Sequence, residues 1–122
     1  MRTWGEDNFA NDGARDYLAM LSAKLVATAC EIFRDDERLE LDEDGESMFM
    51  PSVELLALLC ERYDVTPPKP SSVLQWQEKY LQLYDRSAAR AHPDPRFRAG
   101  RRKVIEKTFR WLMSLSESYW AG

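Results

Sequence analysis

Apolar residues recur at helical spacing in four stretches of the chain, and polar or proline-rich segments separate them. The first stripe runs Ala14, Tyr17, Leu18, Leu21, Leu25, Ala29, Ile32 and Phe33, the i, i+3, i+4 pattern of a helix with one face on a core. Asn11 or Asp12 stands before it as an N-cap, and Asp16 follows inside the start, where negative charge suits the positive end of the helix dipole. The pattern predicts a helix from there to about Arg34. Ahead of it, Trp4 and Phe9 are expected to be buried, pinning an N-terminal arm across one end of the fold.

From Asp35 to Glu46 the periodicity gives way to dense acid around Leu39 and Leu41, with Gly45 as a breaker. This reads as a loop with a short extended piece. A second helix is expected from Pro51, with Val53, Leu55, Leu56, Leu58, Leu59, Cys60 and Tyr63 apolar over most of its circumference, as in a central helix. Three prolines between Thr66 and Pro70 make a stiff connection. Ser72 with Gln75 forms a capping-box pattern for a third helix carrying Val73, Trp76, Tyr80, Leu83, Tyr84, Ala88 and Ala91. Asp94 as cap and Pro95 as first residue open a fourth, whose stripe is Phe97, Val104, Ile105, Thr108, Leu112, Leu115 and Tyr119. Gly100 is its weak point. The expected fold is therefore all-α: one domain, residues 1–122, of about four helices in a bundle-like arrangement with the aromatic arm packed on it.

Composition adds to this picture mainly through the distribution of charge. The formal net charge is only −4, too mild for a dedicated DNA-binding module or a membrane surface. Yet nine acidic residues fall between Glu31 and Glu46 against Arg34 and Arg38, and nine basic residues fall between Arg86 and Arg110 against Asp94 and Glu106. No basic n-region with an apolar run opens the chain, and the most apolar stretch, Val53 to Cys60, is too short to span a bilayer. A cytoplasmic protein is the expectation. Cys30 and Cys60 lie within apolar helical patterns with no C-x-x-C pair, so both are expected to be core thiols.

The opening residues Met1, Trp4, Gly5, Phe9, Asn11, Asp12, Ala14, Asp16, Tyr17 and Leu18 carry a resemblance. They are similar to the start of a bacterial domain family of unknown function whose members begin Met-Gly-x-Trp-Gly-x-Gly-x-Phe-x-Asn-Asp and run into a helix. The similarity extends loosely through Leu41 to Pro68. Arg2 and Asp7 stand where the pattern has glycines. The resemblance implies a helical fold and no particular reaction.

Candidate chemistry is sparse. An EF-hand loop starting at Glu40 would place Asp42, Asp44 and Gly45 at suitable positions, but its last position falls on Pro51, which cannot supply the bidentate carboxylate. His92, the single histidine, reads as a surface turn residue beside Pro93, without partners for a zinc site or a cysteine–histidine pair. No nucleophile elbow, phosphate-cradling glycine loop or dinucleotide fingerprint occurs. Asn11, Asp12 and Asp16 are explained by capping. No catalytic residue, metal or cofactor is expected.

Two charged surfaces remain. Asp35, Asp36, Glu37, Glu40, Asp42, Glu43, Asp44 and Glu46 form the leading candidate for a partner-binding surface. The expectation is a non-enzymatic binding protein that presents this segment to a basic protein, such as a toxin with a phosphate-binding groove, in the manner of an inhibitor or immunity protein. The alternative is a nucleic-acid-associated protein using Arg98, Arg101, Arg102, Lys103, Lys107 and Arg110 of the fourth helix, although no base-stacking or recognition-helix signature accompanies them. A third reading lets the acidic segment and the basic helix lie against each other within one chain, and a further functional one is a hydrolase with a carboxylate-bound metal.

Overall fold

The computed structural model describes residues 3–121; Met1 and Arg2, which entered the resemblance, lie outside them. Four helices form: α1 (Asp12–Arg34), α2 (Met50–Tyr63), α3 (Pro70–Ala91) and α4 (Pro95–Trp120). Asn11 caps α1, its Oδ1 accepting from the Ala14 N–H at 2.8 Å. Asp94 caps α4 by accepting from the Arg96 N–H at 2.9 Å, with Pro95 following in the first turn. Helix α3 departs from expectation by starting at Pro70, with Lys69 as its cap and no side-chain cap bond. The proline fixes the first-turn φ, so Ser72 and Gln75 lie inside the helix and no capping box is needed. Helix α2 ends on Asp64, whose φ of 57° is left-handed, a conformation Asp tolerates better than most side chains.

Residues 35–40 form turns, as their composition suggests, but the rest of the acidic stretch is not a loop. Leu41–Phe49 is helical in wide turns, with the Gly45 N–H reaching the Glu40 carbonyl and the Met50 N–H the Gly45 carbonyl, and it kinks at Glu43 (φ −109°, ψ −123°). Leu39, Leu41 and Phe49 root it in the core. Gly45 makes the kink possible: a Cβ there would lie 2.1 Å from the Leu39 carbonyl oxygen and 2.8 Å from that of Glu40, closer than any side-chain carbon can approach backbone.

Helix α4 packs between α2 and α3, α1 packs on α2, and the Leu41–Phe49 stretch touches α1, α2 and α3. Phe49 is where these layers meet. It is fully buried, with ring centroids 6.3 Å from Phe33, 5.7 Å from Trp76, 5.4 Å from Tyr80 and 6.5 Å from Phe109. Burial of this aromatic set, with Ile32, Val53, Leu56, Val73, Ile105 and Leu112 around it, supplies the main driving force for folding. A smaller cluster of Leu18, Cys60 and Val65 joins α1 to the proline-rich connection. That connection is also tied to the end of α4: the Pro68 carbonyl accepts from Ser116 Oγ at 2.6 Å and the Pro67 carbonyl from Trp120 Nε1 at 3.1 Å.

The N-terminal arm is attached differently from the expectation. Phe9 does dock, 4.6 Å from the Tyr63 ring, and Arg15 donates to the Tyr63 carbonyl beside it. Trp4, however, is 56% exposed. Its indole N–H donates to the Asp12 carboxylate at 3.0 Å and its backbone N–H to the Ala10 carbonyl at 2.8 Å, which closes the arm on itself rather than on the core. Periodicity also overextended several stripes: Tyr17, Phe97, Val104 and Tyr119 hold helical register yet remain exposed, as does Ala91.

Candidate functional site

Four of the eight acidic residues singled out from the sequence are engaged within the chain. Asp35 Oδ1 accepts from the backbone N–H groups of Glu37 and Arg38. Asp36 pairs with Lys79 of α3 at 2.6 Å, and that ammonium holds its carboxyl below the usual carboxylate range. Asp44 accepts from Arg38 Nε at 2.8 Å, which in turn raises the guanidinium pKa. Glu46 reaches furthest in: its Oε1 lies 2.8 Å from His92 Nε2 and 3.5 Å from Arg101 Nε, all three side chains being largely covered. Glu37, Asp42 and Glu43 are exposed and Glu40 is half-buried.

His92 is therefore not a free turn residue. It closes the C-terminus of α3, bonds Glu46 and sits 4.8 Å from the Phe97 ring. The contact ties the acidic segment to the junction of α3 and α4, so the third reading, in which the two charged stretches meet within the chain, holds at Glu46.

The basic residues of α4 divide in the same way. Arg98 donates to the carbonyls of His92 and Pro93, Arg101 faces Glu46, and Arg102 is held between Asp85 (2.8 Å) and Glu106. Arg102 keeps the Asp85 carboxyl below its ordinary range. Lys103, Lys107 and Arg110 are exposed and make no ion pair among the described residues; Arg96, which the sequence reading did not single out, is likewise exposed and unpaired. Residues 96, 103, 107 and 110 share one face of a helix with 3.6 residues per turn, opposite the buried Ile105, Phe109, Leu112 and Ser116.

Of these cations only Arg96 lies in the first turn of α4, where positive charge runs against the macrodipole at a cost of about 0.3–1 kcal/mol; Lys103, Lys107 and Arg110 lie mid-helix. Lys103 and Lys107 are also like charges four residues apart, a pairing that costs a few tenths of a kcal/mol.

Burial raises the Cys60 thiol to about 11, with Asp64 adding to the effect, and it raises the Tyr80 and Tyr84 phenols. Such groups are inert at neutral pH rather than poised for chemistry. No group of three or more His, Cys, Asp or Glu residues placed to hold a metal occurs among the described residues, and none of the helices is long and apolar enough to cross a membrane. Gly5 lies in the closed arm, where a Cβ would come within 3.2 Å of the Ala10 Cβ, and Asn11 and Asp12 serve the α1 cap and the Trp4 indole.

The model of one family, described as a domain of unknown function (DUF4259), matches residues 3–119. No curated protein and no solved structure matches the chain.

Proposed function

The chain belongs to the DUF4259 family, whose function is unknown, and from its charged surfaces we propose a non-catalytic, cytoplasmic bacterial binding protein that presents the acidic segment to a basic protein partner. The partner class that fits is an enzyme acting on nucleic acid, whose phosphate groove offers the complementary charge; the chain would then be its inhibitor or immunity protein.

The observation that supports this reading is the way the segment is held. Gly45, the ion pairs of Asp36, Asp44 and Glu46, and the buried Leu39 and Leu41 fix its backbone, so that Glu37, Glu40, Asp42 and Glu43 are carried on an ordered scaffold. An interaction surface ordered before encounter loses less conformational entropy on binding, and rim charges of one sign raise the association rate.

Affinity capture from the native bacterial lysate tests it, with the parent chain compared against the triple variant Glu37→Gln, Asp42→Asn, Glu43→Gln. The three side chains are exposed and make no ion pair among the described residues, so the variant should melt with the parent. A basic protein captured by the parent, lost with the variant, and bound with a salt-dependent association rate is the expected result. Equal capture by both would overturn the reading.

A further inference from the structure

We propose that the solvent face of α4 is a binding ridge for single-stranded nucleic acid, independent of the acidic-surface reading. Three observations converge on it. The unpaired cations Arg96, Lys103, Lys107 and Arg110 fall on one face, and at 1.5 Å per residue they span about 21 Å. None of the four finds an ion-pair partner among the described residues, and Arg96 sits at the positive end of the α4 dipole, so their charge stabilises neither α4 nor the core. Beside the cations, on one flank of the same face, Phe97 and Val104 are 51% and 49% exposed, and Trp111 follows, partly buried against the core.

Cations that track a phosphate backbone next to aromatic surfaces on which bases stack are the requirements of sequence-tolerant single-strand binding. Val104 and small neighbours at Ala99 and Gly100 leave the ridge low between the charges, and nothing lies within 4 Å of a Cβ at Gly100. Glu61 and Glu117 lie with Lys107 and Arg110 around one open groove, so the negative charge there closes the ridge at its C-terminal end. A duplex would be limited by the same acids without gaining from the aromatics, since its bases are already stacked. The ridge is on the face of α4 opposite its packed side, and the cations that face Glu46 and Asp85 take no part in it.

The experiment is fluorescence anisotropy of a labelled 20-nucleotide oligothymidine, titrated with the full chain over a salt series that starts at about 50 mM. The variant Lys103→Gln, Lys107→Gln, Arg110→Gln should bind at least tenfold more weakly, with a log–log salt slope shallower by about 2, since each phosphate contact on a single strand contributes about 0.7. Phe97→Ala should weaken binding about fivefold or more while leaving the salt slope unchanged. Circular dichroism melts keep misfolding from mimicking either result. Absence of oligothymidine binding by the parent at the lowest salt, or equal binding by parent and triple variant, would overturn the proposal. So would tighter binding of a 20-base-pair duplex or of anionic lipid vesicles with no effect of Phe97→Ala, because the face would then be a general electrostatic surface.

Discussion

The acidic segment and helix α4 carry comparable charge, but the fold treats them in opposite ways. In the segment, charge and architecture are joined: Asp36, Asp44 and Glu46 close onto Lys79, Arg38, His92 and Arg101 while Leu39, Leu41 and Phe49 anchor the backbone between them. In α4 they are separated, with Ile105, Phe109 and Leu112 holding one face in the core and the unpaired cations standing on the other. Mutation of the paired or buried residues of the segment should therefore disturb the fold, whereas mutation of the α4 ridge, like that of the exposed Glu37, Asp42 and Glu43, should disturb only what the surface meets.

Two glycines give the sharpest form of that contrast. Gly45→Ala would drive a Cβ against the Leu39 and Glu40 carbonyls, rigid backbone atoms that cannot move without unseating Leu39 and Leu41. A loss of about 4 kcal/mol or more is expected, in the range reserved for gross steric conflict. Gly100→Ala meets open space in the second turn of α4 and should stabilise the chain by up to about 1 kcal/mol. Urea denaturation of both variants checks the pair, and equal effects at the two positions would break the comparison.

That pair also shows what a sequence can reveal. The four helices, the caps at Asn11 and Asp94 and most buried positions follow from local rules: apolar spacing, a side-chain oxygen before the first turn, a proline inside it. Gly45 marked only a breaker, because a glycine required by close approach looks in sequence like one that ends a helix. Phe49 went unrecognised because it precedes the proline that signals α2, within a stretch whose composition is that of a loop. Trp4 was misplaced for the opposite reason. Its size favours burial, but its indole N–H needs a partner, and Asp12, already at the surface, supplies one. As for the candidate surfaces, local charge density was legible; which charges are paired was not, since Lys79, Asp85 and His92 reach their partners only through tertiary packing.

The next contrast concerns the two aromatics that flank the expectation. Phe49→Ala removes the ring on which four others pack and should cost about 3–5 kcal/mol. Trp4→Ala removes an exposed ring and one hydrogen bond, and should cost about 1 kcal/mol or less. A Trp4→Ala melting temperature as depressed as that of Phe49→Ala would restore the arm to the centre of the fold.

A smaller effect is expected in alkali. The Cys60 thiol is raised by burial to about 11 from an ordinary value of 9.0. Folding thus favours the protonated form, so this contribution to stability is complete below pH 9 and is lost as the pH rises through about 11. Cys60 lies in the small cluster beside the proline connection and takes part in none of the ion pairs of the charged stretches. Melting temperatures of the parent and of Cys60→Ala should therefore converge between those pH values, whatever either charged surface does. Parallel curves would mean that the thiol ionises without opening the cluster.

The smallest expected effect discriminates most directly between the two regions. Neutralising Lys103, Lys107 and Arg110 with Gln removes like-charge repulsion along α4 and leaves every ion pair of the fold in place. Stability should stay level or rise by a few tenths of a kcal/mol, and the gain should shrink as salt screens the repulsion that was removed. Replacing Asp36, Asp44 and Glu46 by Asn, Asn and Gln removes a comparable amount of charge but strands Arg38 and Arg101 without their carboxylates and leaves Lys79 only the Phe33 carbonyl and ring. That variant should melt well below the parent, because Glu46 and Arg101 are largely covered from solvent and an ion left partly buried without its partner is costly. If the basic variant fell as far as the acidic one, the α4 cations would be holding the fold together through contacts of their own. The division between an architectural acidic segment and a free basic ridge would then be lost.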